Sequence, residues 1–237
     1  MVISASFGEG AQLALDTLMM RPAKGIPQRQ VHIMQISEID RLSGCEPGAY
    51  LRNPADTYLQ MQRNMGTCFA DQFIPLNPLS MSDTGFNHMA KRAATTGAEE
   101  IRLDDIMIDS PEAVVAHMER FVFPQLHKAI EAQKPDDENS IAAILREEQE
   151  KQDLLGPDIL NVCYGRAIFP RLRYTQYGYI NYFLAYQIYP EVMEKDFALQ
   201  ADLAERSNGI LARALREGRL PPVTRLDHDM ADGRGTL

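Results

Sequence analysis

The most constraining feature of this chain is an alternation between short apolar runs and longer segments of helical period. Val31-His32-Ile33-Met34-Gln35-Ile36, Cys68 to Leu76, Glu100 to Ile108, Asp158 to Cys163 and Val223 to Asp227 are apolar enough to read as strands. Helical patterns separate them. Strands that alternate with helices predict an α/β fold built on a parallel sheet.

The helices carry their own punctuation. Ala11 to Met20 is followed by the breakers Pro22, Gly25 and Pro27, and Ser37 can cap a short helix ending near Gly44. Asn53-Pro54 opens another, with Asn as cap and Pro at the first helical position. In Asp109-Ser110-Pro111-Glu112 the two acids stand three apart, which predicts a capping box with Asp109 as the cap. Val114, Val115, Met118, Phe121, Val122, Leu126 and Ile130 follow at helical spacing, and Pro124 is expected to kink that helix. Ser140 to Gln152 is charge-rich and reads as a helix with a mostly solvated face. Tyr179 to Tyr189 and Pro190 to Glu217 are helical, the second bounded by Pro190 and Gly218.

Composition narrows the class. The 237 residues hold 24 Lys and Arg against 33 Asp and Glu, a net charge of −9, so no nucleic-acid or membrane-surface partner is expected. Hydrophobic residues at 45% suit a globular chain large enough to bury a core unaided. Cys45, Cys68 and Cys163 are odd in number and far apart, which predicts no disulfide framework. The first ten residues lack the pattern of a secretory signal, and Ile180 to Tyr189 is too short to span a bilayer. The expectation is a cytoplasmic protein.

Several segments carry a family resemblance. They are Asn208 to Gly218, then Val223 to Leu226, then Asp227-His228-Asp229-Met230-Ala231-Asp232-Gly233-Arg234-Gly235. Phe183 to Val192 with Tyr189-Pro190-Glu191 precedes them, and Asp71 to Gly85, Ile26-Pro27 and Val31 to Met34 lie upstream. Together these resemble the uroporphyrinogen decarboxylase superfamily. The resemblance implies a TIM-type (β/α)8 barrel in a single domain, 1–237, with a helical insertion near 134–156. About five strand units are counted of the eight a barrel needs, so the chain is expected to be the front part of a longer barrel.

The resemblance also implies chemistry. The superfamily decarboxylates acetate side chains of a tetrapyrrole without a cofactor, or transfers methyl groups with corrinoid proteins and thiols, usually with zinc held by His and Cys. No zinc ligands are expected within this stretch; they would lie beyond Leu237. The implied partner is a tetrapyrrole or a corrinoid, free or protein-borne, and a homodimer is admitted. Two departures favour methyl transfer. Gln35-Ile36-Ser37-Glu38 stands where the decarboxylase has an Arg-rich loop, and the aspartate that gathers the pyrrole nitrogens falls at or near Asn77. Asn lacks the charge that offsets a protonated pyrrole. A third expectation is a non-catalytic module that binds a tetrapyrrole or a carboxylate.

Candidate site residues follow from position. Asp227 and Asp229 sit at the predicted exit of the last strand, with His228 on the opposite face of a regular strand. They are the expected carboxylate pair, for substrate hydrogen bonding or proton transfer; His32 on the first strand, as acid, base or ligand, and Asn77 at the exit of the second are the other expected catalytic residues. Arg166, Arg171, Arg173 and Arg234 are expected to hold carboxylates. Tyr164 and Tyr174 offer flat walls with a hydroxyl edge, and His228 completes the expected substrate contacts. The alternatives are surface arginines, packing tyrosines, and His117 and His127 without ligand spacing.

Overall fold

A computed structural model describes residues 7–30, 33, 35–73, 75–76, 100–134, 137–225, 231–232 and 235–236, the last two pairs by backbone alone. The chain begins with helices α1 (Glu9–Leu18), α2 (Ile36–Ser43), α3 (Ala49–Arg52) and α4 (Pro54–Asn64). Strands β1 (Phe69–Ala70), β2 (Arg102–Leu103) and β3 (Ile106–Met107) follow, then α5 (Pro111–His117), a π-helical turn (Met118–Val122), α6 (Phe123–Ala132) and α7 (Glu138–Leu155). Next come β4 (Leu160–Asn161), β5 (Cys163–Tyr164), α8 (Tyr174–Tyr177), α9 (Tyr179–Ile188) and α10 (Pro190–Gly218). The last elements are β6 (Thr224–Arg225), β7 (Ala231–Asp232) and β8 (Gly235–Thr236). The described residues are mostly helical with short strands, and no closed barrel is formed among them. None of their helices is long and apolar enough to cross a membrane.

The chain falls into two compact units. The first takes the described parts of 1–88, 138–167 and 211–237; the second takes those of 89–137 and 168–210. Helix α7, expected within an insertion, belongs to the first unit with the parallel strands.

In the first unit, β1 runs parallel to β4 with Phe69 opposite Leu160, and β5 runs parallel to β6 with Cys163 opposite Thr224. Cys68 N–H also donates to Gln28 O at 2.8 Å. The neighbours therefore follow chain order: the 28 segment, β1, β4 and β5, then β6. Side chains alternate across this layer as a strand requires. Leu160 and Val162 pack with Ala11 and Ala14 of α1, while Cys163 packs with Leu211 and Leu215 of α10. A second cluster fixes the α2–α4 corner, where Ile39, Tyr50 and Met61 are fully buried. Each such side chain contributes about 1.5–3 kcal/mol by leaving water.

The second unit is built from the β2–β3 hairpin and from α5, α6, α8, α9 and the first part of α10. Its core holds Val114, Met118, Phe123, Tyr177, Tyr182 and Met193.

Several expectations change. Ile36 opens a helix rather than closing a strand; Val31, His32 and Met34 lie outside the described residues. Among the described residues of the run from Cys68 to Leu76, strand geometry is kept at Phe69–Ala70 alone. Glu100 to Ile108 is a hairpin, because Asp104 takes a left-handed conformation (φ 52°) and turns the chain. The helix cap is Ser110, whose hydroxyl accepts from Ala113 N–H at 3.2 Å, and not Asp109. Pro124 is accommodated by the π turn immediately before Phe123: proline cannot donate the usual bond and crowds the preceding turn, so the ladder widens there. The charged face of α7 is not wholly solvated, since Glu148 and Gln152 are buried.

Candidate functional site

The site begins with the ends of the parallel strands. β1 stops at Ala70, so the next residue, Asp71, is carried at its C-terminal exit. The longer strand expected from the sequence, out to Leu76, places the exit at Asn77 instead. In α/β proteins the C-terminal strand edge is where loops gather side chains around ligands.

Asp71 is nearly buried and shared by two guanidiniums. Arg29 donates from Nε to Oδ1 at 2.9 Å and from Nη2 to Oδ2 at 2.8 Å. Arg225, at the end of β6, donates from Nη1 to Oδ2 at 3.2 Å, and its guanidinium lies 5.5 Å from the Tyr164 ring centre. Residues 29, 71, 164 and 225 are far apart in sequence. Strand adjacency joins them.

A second network lies beside the first. Glu148, 1% exposed, accepts Lys151 Nζ at 2.8 Å and Arg166 Nε at 2.9 Å on Oε1, and Asn161 Nδ2 at 2.8 Å on Oε2. Arg166 also pairs with Glu147. Burial pushes the Glu148 carboxyl up, but the hydrogen bonds from Lys151, Arg166 and Asn161 outweigh it and hold the group below its ordinary value. For Arg166, burial alone works against the charge, and the bonds to Glu148 and Glu147 raise its affinity for the proton. Gln152 completes the arrangement by accepting Asn161 N–H at 2.8 Å and donating to Ile159 O at 3.0 Å. Cys163 is inert by comparison, because burial raises its thiol.

Both networks border one cavity of about 520 Å³. Its polar lining comes from Asp71, Gln72, Lys151 and Asn161, and its apolar walls include Phe73, Leu155 and Tyr164. Predominantly apolar walls with a few convergent polar groups are the ordinary make-up of a small-molecule site. Tyr50 ties one wall by donating its hydroxyl to Pro75 O.

The expected site residues divide. Tyr164 lines the cavity, and Arg166 supports it through Glu148. Arg171, Arg173 and Tyr174 belong to the second unit. There Arg173 is committed to a fork on the fully buried Asp196, with contacts of 2.9–3.1 Å. Arg171 lies over the Phe169 ring at 4.7 Å, and Tyr174 packs on Tyr179 and Phe183. Asp227, His228, Asp229, Arg234, His32 and Asn77 lie outside the described residues or, for their side chains, outside what is described.

Among the described residues, no three His, Cys, Asp or Glu side chains gather as a metal site requires. The arrangement offers ion pairing, hydrogen bonding and apolar contact. The chain matches no protein-family model, no curated protein and no solved structure.

Proposed function

We propose that this chain is a uroporphyrinogen decarboxylase-like enzyme whose reaction takes place in the Asp71 cavity on a tetrapyrrole-linked substrate. The finer fold reading that goes with it is a (β/α)8-type arrangement. It is supported by parallel neighbours that follow chain order with helices between them.

The observation that carries the proposal is the carboxylate at the exit of β1, facing a mostly apolar cavity. Arg29 and Arg225 occupy three of its roughly four lone-pair positions, which leaves room for one substrate N–H. When a pyrrole is protonated and a side-chain carboxylate departs as CO2, the ring carries positive charge until it accepts the electron pair. A fixed carboxylate beside the ring N–H stabilises that charge. Tyr164 and Phe73 supply flat walls for the ring, and Lys151 is placed to meet an acidic side chain. Asp71 thus takes the part that Asn77 could not, and favours porphyrinogen-type decarboxylation.

Corrinoid-dependent methyl transfer is the second reading. It is favoured by Gln35–Glu38, where α2 begins and Glu38 pairs with Arg41 at 2.7 Å in place of a run of arginines. The described residues supply no zinc site for it.

Turnover of uroporphyrinogen and demethylation of a methylated corrinoid by the purified chain decide between the two. Asp71→Asn is expected to lower the kcat of the active reaction by about 10²–10³-fold while the chain remains folded. Full activity in Asp71→Asn would remove the cavity as the reaction site. Tetrapyrrole binding without either turnover would instead indicate a binding module.

A further inference from the structure

The second unit holds a cavity that the proposed reaction does not use. Its volume is about 330 Å³, near the lower end of ligand pockets. Three unusual features meet at its wall. The first is Asp104, whose left-handed backbone (φ 52°) makes the turn of the β2–β3 hairpin and so carries its carboxylate at the cavity wall. The second is the π-helical turn at Met118–Val122, which contributes Phe121 and Val122 to the lining. The third is His117, 3% exposed and bonded at both ring nitrogens.

The hydrogen bonds order these parts. His117 Nε2 lies 2.9 Å from Asp104 Oδ2, and Nδ1 lies 2.9 Å from the Tyr177 hydroxyl. A carboxylate only accepts, so the network assigns the proton to Nε2 and lets Tyr177 donate to Nδ1. Burial holds the Tyr177 phenol far above its ordinary range, so it remains a donor. His117 therefore has no free nitrogen for catalysis. It fixes Asp104 Oδ2 and leaves Oδ1 outside that bond.

Arg173 brings the opposite charge to the same cavity. Its fork on Asp196 uses Nε and Nη2, so Nη1 stands outside the fork. Asp196 in turn accepts from Gln200 Nε2 at 2.7 Å, which holds the fork rigid. The remaining lining combines the amides of Gln125 and Gln176 with apolar Leu126 and Ala129.

We propose that this cavity is a separate binding site for a small zwitterion, an apolar α-amino acid, with its ammonium on Asp104, its carboxylate on Arg173 and its side chain against Phe121, Val122 and Leu126. His117 is a positioning residue, and no bond is made or broken. One carboxylate and one guanidinium on the walls of a single small cavity match a ligand that carries both charges. The site stands or falls independently of the Asp71 cavity.

The test is calorimetric titration of the full chain with L-leucine and L-methionine. Each is compared with its amide, which lacks the carboxylate, and its N-acetyl form, which lacks the ammonium. The expected result is saturable binding of at least one free amino acid with Kd near or below about 1 mM, weakened at least about tenfold in both charge-deleted forms. Asp104→Asn, which tolerates the left-handed backbone, is expected to weaken that binding by a similar factor. No saturable binding of either amino acid, charge-deleted forms that bind equally well, or unchanged affinity in Asp104→Asn would each overturn the proposal. The ligand comparisons need no variant to fold.

Discussion

The two units solve the same problem, a buried acid, in different ways. In the second, Asp196 is fully buried and bound to one guanidinium in a fork, with Gln200 as its only other side-chain partner among the described contacts. In the first, Glu148 spreads its charge over Lys151, Arg166 and Asn161, and Asp71 spreads its charge over Arg29 and Arg225. Asp71 too sits in a fork, on Arg29, and Arg225 adds a further bond to it. The two acids also differ in surroundings: Asp71 lines a cavity with Lys151, and Asp196 lines neither of the two cavities described above.

Breaking the fork should have the largest effect. Asp196→Ala strands the Arg173 guanidinium with no charge partner, and a loss of about 3–5 kcal/mol is expected in denaturant unfolding. A loss under about 1 kcal/mol would show that the fork does not anchor the second unit.

Glu148→Gln should cost less, about 2–3 kcal/mol, because Lys151 is half-exposed and regains water. The pH dependence sharpens the comparison. The Glu148 carboxyl is held below its ordinary value of 4.5 in the folded chain. Its stabilisation is therefore complete above that value and disappears as pH falls through the lower folded value. Unfolding followed from pH 6 down to about pH 3 should show wild type losing its advantage over Glu148→Gln. A difference that stays constant across this window would mean that the Glu148 charge contributes nothing.

Ser110→Ala gives the smallest effect, about 1 kcal/mol, since it removes one cap bond at the start of α5. Asp109→Ala should leave stability nearly unchanged. The reverse ranking by thermal unfolding would restore Asp109 as the cap.

These residues also mark how far the sequence could be read. The helix from Pro190 to Gly218 was legible because Pro and Gly act locally on the backbone, and its end was placed to within one residue. The hairpin at 102–107 was not, because a left-handed Asp104 leaves no periodic trace. The run after Cys68 reads as a strand out to Leu76, which puts its exit at Asn77; the structure ends the strand at Ala70, which puts Asp71 at the exit. The arginines near 170 were read as one group from their spacing. The structure gives Arg166 to Glu148 and Arg173 to Asp196.

The sequence by itself determined the approximate spans of most helices and the net negative charge of the chain. Those properties depend on neighbours a few residues apart. Which acid meets which base was decided only by the tertiary structure, because Arg29, Asp71 and Arg225 come together through strand pairing across up to 196 positions of chain. Local periodicity carries no information on such pairings; the packing of one strand against the next does.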